Sequence, residues 1–296
     1  MIFMQGLLAL VTFQIIEFDF VIIPMFGLKE ETEMINDNLY YLGYTSTYFV
    51  VNMGNVLIFA FGTTALALFI VCSAKCKNER VKKLHDSAHS MLIWNGAFRL
   101  MKEPYVIYVV SCMTQTLAMT WSNHGERFNN LLMICMFFVI VAFPLWVIFF
   151  IQKNKEKLKL KSFMKKYSTI YEHLKWKTGD KWVLMEPGIS SVRMFFTIAA
   201  LIYLQSWRYF QLMIAMYFHY AVIIYNGQIQ PFKSKTYHFF QQFNEVFVFW
   251  TILILMTFAD VILDQHAFDT MGYVLIAVVV SNLFINMISI LGKAIR

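Results

Sequence analysis

In a chain of 296 residues with 59% hydrophobic and only 15% charged side chains, ionisable groups and amides inside long apolar runs are the ones whose chemistry needs a reason. Arg193 lies in one such run and Glu245 opens another. A charge at the centre of a bilayer costs at least about 2.5–3.5 kcal/mol unless it snorkels to the headgroups or pairs. Arg193 is expected one turn into its run, where two arrangements are open. It snorkels to nearby headgroups, or it forms an ion pair with Glu245 or with Glu172 of a basic loop. Glu245 and Asn244, with Gln241 and Gln242 continuing their polar face, read either as a wet helix end or as a cation mouth. Carboxylates and amides can replace hydration-shell oxygens, which is what such a mouth requires. His219, Asn226, Asn282 and Asn286 lie deeper. The last two are spaced i, i+4 and share a helical face. Interhelical hydrogen bonding and a polar pathway are the alternatives for these four residues.

Other chemistry is poorly furnished. The chain carries no Gly-rich phosphate loop, no Gly-x-Ser-x-Gly elbow and no His-Glu-x-x-His, so no catalytic residue is expected and the chain is not read as an enzyme. No cofactor or metal site is expected either. Four cysteines are too few for a disulfide framework. Cys72 and Cys76 fall at the cytoplasmic end of a run, where they are either acylated or remain two free thiols. Only His85 and His89 stand nearby as further zinc ligands, fewer than a convincing site wants. The net charge of +7 is concentrated between the apolar runs without a base-reading motif. It points away from nucleic acid and toward anionic lipid of the inner leaflet.

The elements that must position these residues are long helices. A helix rises 1.5 Å per residue, so crossing the hydrocarbon takes roughly 20 apolar residues. Seven runs qualify: 46–73, 103–121, 129–152, 189–207, 209–228, 243–261 and 271–291. The expected fold is all-α, a polytopic transmembrane bundle occupying 46–296. Residues 1–45 form a membrane-associated N-terminal segment. Within it, 2–16 is apolar but short, and reads as an interfacial or re-entrant helix or as an eighth, short span. Residues 27–44 form an external acidic connector with Glu30, Glu31, Glu33 and Asp37.

Charge sets the orientation. The segments 74–102, 153–188, 229–242 and 292–296 hold seven, ten, two and two Lys or Arg, which is 21 of the chain's 25. Basic residues accumulate on the cytoplasmic side, which places the loops 74–102 and 153–188 and the C-terminus there. The stretch KNKEKLKLKSFMKK from Lys153 is expected to prolong the preceding helix, with Leu158, Leu160 and Phe163 against lipid or protein.

Several short motifs carry a resemblance. Phe163-Met-Lys-Lys-Tyr167, Ile170-Tyr171-Glu172-His173-Leu174-Lys175 and Gly188-Ile-Ser-Ser-Val-Arg193 resemble the F…Y..LYE.LK…..RR signature of the TRP C-terminal-domain proteins. That TRP-like multispan family is expanded in ciliates and related to fungal flavin-carrier and polycystin-like proteins. Pro231-Phe232 after a span, Asn244-Glu245, Asp19 with Pro24, Gly43-Tyr44 and Asn52-Met-Gly54 resemble further elements of it. The family's cysteine-rich ectodomain and an additional upstream span have no counterpart in this chain, and its paired arginine is Arg193 alone, after Val192.

The resemblance implies a TRP-like ion channel or a channel-related transport protein. The other class to weigh is a non-conducting membrane anchor or assembly subunit of a larger complex, such as a cell-surface recognition complex. Its partners would be copies of itself or other membrane subunits. Asn52 and Asn55, expected to face lipid, favour such partners. A multi-pass protein of the plasma membrane, rather than of an organelle, is the expected localisation.

Overall fold

The computed structural model describes residues 19–28, 44, 46–54, 56, 62, 65, 68, 96–258 and 265–294. Residues 2–16, most of 46–73, Asn55, Cys72, Cys76, His85 and His89 lie outside the described residues. Helices account for the regular structure among those described, and the chain divides into two units, Met1–Glu172 and His173–Arg296.

The first unit contains α1 (Asp19–Phe26), α2 (Phe49–Asn52), α3 (Ala97–Lys102), α4 (Tyr105–Leu117), α5 (His124–Lys153) and α6 (Lys161–Tyr171). α4 packs along α5, and α2 packs on both. α5 runs for 30 residues with Pro144 inside it. Proline has no N–H, so the carbonyl four residues earlier loses its helical donor. That carbonyl belongs to buried Ile140, and the hydroxyl of buried Tyr105 donates to it at 3.1 Å. α1 is seated where Phe26 stacks on Phe128 at 5.4 Å between centroids. A Cβ at Gly125 would overlap the Phe26 carbonyl oxygen, so only glycine admits this approach.

Polar groups near the start of α2 are satisfied by amides from the other two helices. Gln115 Oε1 accepts from Phe49 N–H at 2.6 Å and from Asn129 Nδ2 at 2.7 Å. Asn129 Oδ1 accepts from Val50 N–H at 3.0 Å, and Gln115 Nε2 donates to Asn130 Oδ1 at 2.6 Å. The first-turn N–H groups of a helix have no partner of their own, and here they are buried, so side-chain acceptors are required. Asn52 belongs to the same region. It is buried and donates to Ser46 O at 2.6 Å, which corrects the expectation that its amide faces lipid.

The second unit is a sequential array: α7 (Lys181–Tyr203), α8 (Arg208–Ile229), α9 (Lys235–Thr257) and α10 (Gln265–Ala294). α7 packs on α8, α8 on α9 and α9 on α10. Gln230 takes a left-handed conformation at the end of α8 and Pro231 follows, which stops the helix. The α8–α9 turn is clasped by the strand-like segment before α7, where Lys175 N–H donates to Pro231 O at 2.8 Å and Lys233 N–H to His173 O at 2.9 Å.

Among the described residues, five helices are long and apolar enough to cross a membrane: His124–Lys153, Lys181–Tyr203, Arg208–Ile229, Lys235–Thr257 and His266–Ser289. They correspond to five of the seven expected runs. The run 103–121 forms only α4, whose 13 residues rise about 20 Å, because the chain turns at Glu103–Pro104 and the helix closes at Leu117. The basic stretch after α5 does not prolong it. Asn154 directs both its backbone N–H and its side-chain amide to the Phe150 carbonyl, at 3.2 and 2.9 Å, ending the helix. A 3-10 turn, Lys155–Lys159, then buries Leu158 before α6 starts as a separate helix, leaving Leu160 exposed.

Candidate intramembrane ion site

Two helix starts decide where the ionisable residues sit. Asp180 caps α7, accepting from Trp182 N–H at 3.0 Å, and the helix then passes through Pro187-Gly188 without a break. The carbonyl of Pro187 receives the Ser191 hydroxyl at 2.8 Å, and the Tyr225 hydroxyl donates to Trp182 O. Ser234 caps α9, accepting from Tyr237 N–H at 3.3 Å. Both helices therefore begin about two turns before the runs read from hydropathy. Their polar opening turns are helical, and the hydropathy pattern alone marks only the apolar remainder.

The consequence is a central place along each helix. Arg193 lies about 18 Å along α7 from Lys181, and Glu245 about 15 Å along α9 from Lys235, near the middle of each helix. Both side chains are buried in the protein, so Arg193 is not free to snorkel and Glu245 is not a wet helix end. His219 stands near the middle of α8.

These three residues meet. Arg193 donates through its terminal guanidinium nitrogen Nη1 to Glu245 Oε2, and His219 Nδ1 lies 2.8 Å from the same oxygen. Their side chains are 9%, 6% and 12% exposed for Arg193, Glu245 and His219. A carboxylate oxygen only accepts, so Nδ1 carries the proton in this contact. The 3.1 Å approach of Arg193 Nη1 to His219 Nδ1 then sets donor against donor, and Glu245 holds the two together. With a neutral imidazole the site has no net charge, because the guanidinium and the carboxylate cancel. Three consecutive helices each supply one member.

A neutral cluster lies on the other flank of α9. Asn244 Oδ1 accepts from Asn286 Nδ2 at 2.7 Å and from Asn282 Nδ2 at 3.1 Å, and Asn244 Nδ2 donates to Asn286 Oδ1 at 3.2 Å. The i, i+4 spacing of Asn282 and Asn286 does put both amides toward one helix, and α9 supplies the third. Asn244 and Glu245 are adjacent in sequence, about 100° apart around α9, which lets one helix join the ion site to the amide cluster. Asn226 is buried on α8 and is bonded to neither group.

Several polar groups of the structure carry no site signal in the sequence. Gln115, Asn129 and Asn130 look like the ends of apolar runs, yet they form the buried network around α2. His173 Nε2 and Glu186 Oε2 pair at 3.4 Å, while Gln242, expected on the polar face of Glu245, donates through Nε2 to Ile223 O on α8 at 3.1 Å. Among the described residues no group of three or more His, Cys, Asp or Glu could hold a metal ion. The described thiols, Cys112 and Cys135, are free.

An all-α membrane protein with an ion triad shared by three membrane-length helices is the class that this fold and site define. Compared with protein-family models, with curated proteins and with solved structures, the chain finds no match in any of the three.

Proposed function

We propose that this chain is a TRP-like ion channel or a channel-related membrane transport protein, and that its second unit carries the translocation path. The supporting observation is the Arg193–His219–Glu245 triad at mid-length of three consecutive apolar helices. Ionisable groups at membrane depth are expensive, and they concentrate at ion pathways and proton relays. Glu245 is the group that a passing cation would engage. Arg193 is paired with that carboxylate and opposes prolonged cation residence, because the pair is already neutral. His219, whose Nδ1–H occupies the same oxygen, is the partner a cation or a proton displaces at least cost, since the imidazole gives up one hydrogen bond and no ion pair. The resemblance to TRP C-terminal-domain proteins supports the same class. The basic loops 74–102 and 153–188, and the C-terminus, face the cytoplasm in this reading, and the plasma membrane is the host.

The test is flux through vesicles containing the purified full chain, read with potassium- and proton-sensitive dyes. The wild-type chain is expected to dissipate an imposed gradient and Glu245→Gln to change the rate markedly. Folded wild-type protein that leaves both gradients intact contradicts the proposal.

A second reading, a non-conducting anchor or assembly subunit, draws on α10. None of the residues in its most apolar stretch is buried, and Val280, Phe284 and Met287 are exposed along it. Lipid or a partner subunit would cover that face. A defined oligomer or mixed complex in mild detergent, together with absent flux, would favour this reading.

A further inference from the structure

The second unit contains four buried side-chain atoms, among the described residues, that have no protein hydrogen-bond partner: His238 Nδ1, Gln242 Oε1, Arg193 Nε and Thr197 Oγ1. Buried polar atoms are nearly always paired, so orphans call for an explanation. These are not scattered. His238, Gln242 and Glu245 follow i, i+4, i+7 spacing, one stripe of α9, and Arg193 and Thr197 follow i, i+4 on α7. Gln242 reaches α8 through Ile223 O, and Glu245 reaches α8 and α7 through His219 and Arg193. All four atoms therefore lie along the seam of the same three helices, from the first turn of α9 to one turn beyond the triad.

Beyond Thr197 the seam changes character. In line with the polar stripes at 100° per residue, the next buried positions are apolar: Ala200 on α7, Ala215 on α8 and Ile252 on α9. The polar half thus leads from the Lys235 end to the triad, and the remaining half is an apolar layer.

We propose that this seam is a water-admitting half-channel, shut in this structure, which opens between the Lys235 end of α9 and the ion triad and stops at the apolar layer. The chemistry of the orphans selects the ligand. Arg193 Nε donates, Gln242 Oε1 accepts, the Thr197 hydroxyl does both, and His238 Nδ1 does either according to tautomer. A mixed set suits water, which donates and accepts, better than an ion of one sign. Spacing agrees: groups four residues apart are separated by about 6 Å along a helix, too far for a direct hydrogen bond and close to the span of one bridging water. The orphan atoms are covered in the observed packing, so a small separation of α7 from α9 is the opening motion, and hydration of these atoms favours it. This inference deepens the transport reading by assigning the route to Glu245.

The test uses the full chain in phosphatidylcholine vesicles and a small, water-soluble, cationic methanethiosulfonate reagent. Labelling of Gln242→Cys, Thr197→Cys and Ile252→Cys is followed as added mass over the parent chain. Gln242→Cys and Thr197→Cys are expected to react at least about ten-fold faster than Ile252→Cys, since reaction follows the population of the open seam. Equal inertness of all three overturns the half-channel. Equal reactivity of all three overturns it too, because the path would then run through the apolar layer. Hydroxyl-radical footprinting of the unaltered chain guards against a variant that misfolds. Oxidation at His238 and Thr197 above that at Ile252, each relative to the side chain's intrinsic reactivity, supports the proposal, and the absence of that contrast refutes it. Reactive Gln242→Cys without gradient dissipation would leave the half-channel standing and remove the transport reading. Flux with an inert Gln242→Cys would do the reverse.

Discussion

The Tyr105 hydroxyl donates to the Ile140 carbonyl, the one that Pro144 leaves without its helical donor. A proline in mid-helix is thereby tolerated in α5, because a neighbouring helix satisfies the freed backbone group. α4 also supplies its own control. Ser111 is buried on the same helix, and its hydroxyl has no partner.

Tyr105→Phe should therefore cost about 1–3 kcal/mol, the penalty for a buried carbonyl left unpaired. Ser111→Ala removes the same kind of group and should be near neutral or slightly stabilising. Unfolding of both variants in one detergent checks the contrast, and equal effects would contradict the role given to Tyr105.

Asn244 accepts from both Asn282 and Asn286, whereas Asn282 gives Asn244 one bond. Asn244→Leu should destabilise more than Asn282→Leu, each interhelical bond lost costing about 0.6–2 kcal/mol. The reciprocal Asn244–Asn286 pair survives in the second variant. Thermal unfolding in detergent reads the order, and a larger loss for Asn282→Leu would count against this bonding scheme.

The apolar pattern makes the five membrane-length helices visible in the sequence, because each needs a long hydrophobic stretch. It hides the starts of α7 and α9. Their first turns are polar or carry Pro187-Gly188, so Arg193 and Glu245 read as shallow when they lie near mid-helix. The caps Asp180 and Ser234 were the legible signal for those starts. A pairing of Arg193 with Glu245 could be posed from charge alone. That His219 shares the carboxylate could not, since nothing in a linear pattern specifies which faces of three helices converge. The network of Gln115, Asn129 and Asn130 stayed hidden for a related reason: its purpose is to satisfy the first turn of α2, which exists only after folding.

Burial pushes the Tyr171 phenol up to about 12 from an ordinary value of 10. Below pH 10 the group is neutral whether folded or unfolded and has no effect on the slope. Above it the unfolded chain ionises first and binds fewer protons than the folded one, so stability falls as pH rises from 10 to about 12. Tyr171→Phe should flatten that part of the stability profile, measured by unfolding at stepped pH. An unchanged alkaline slope would show that the phenol titrates freely.

The most direct test of the central claim is the coupling free energy between Arg193 and Glu245 in a double-mutant cycle, from unfolding of wild type, Arg193→Met, Glu245→Gln and the double variant. Removing one member of a buried pair strands its partner and costs about 3–5 kcal/mol, whereas replacing both removes the stranded charge. The account predicts that Arg193→Met is severely destabilised and that adding Glu245→Gln recovers much of the loss. Single effects that are small, or that simply add in the double variant, would show that the two charges do not form a buried pair within the membrane.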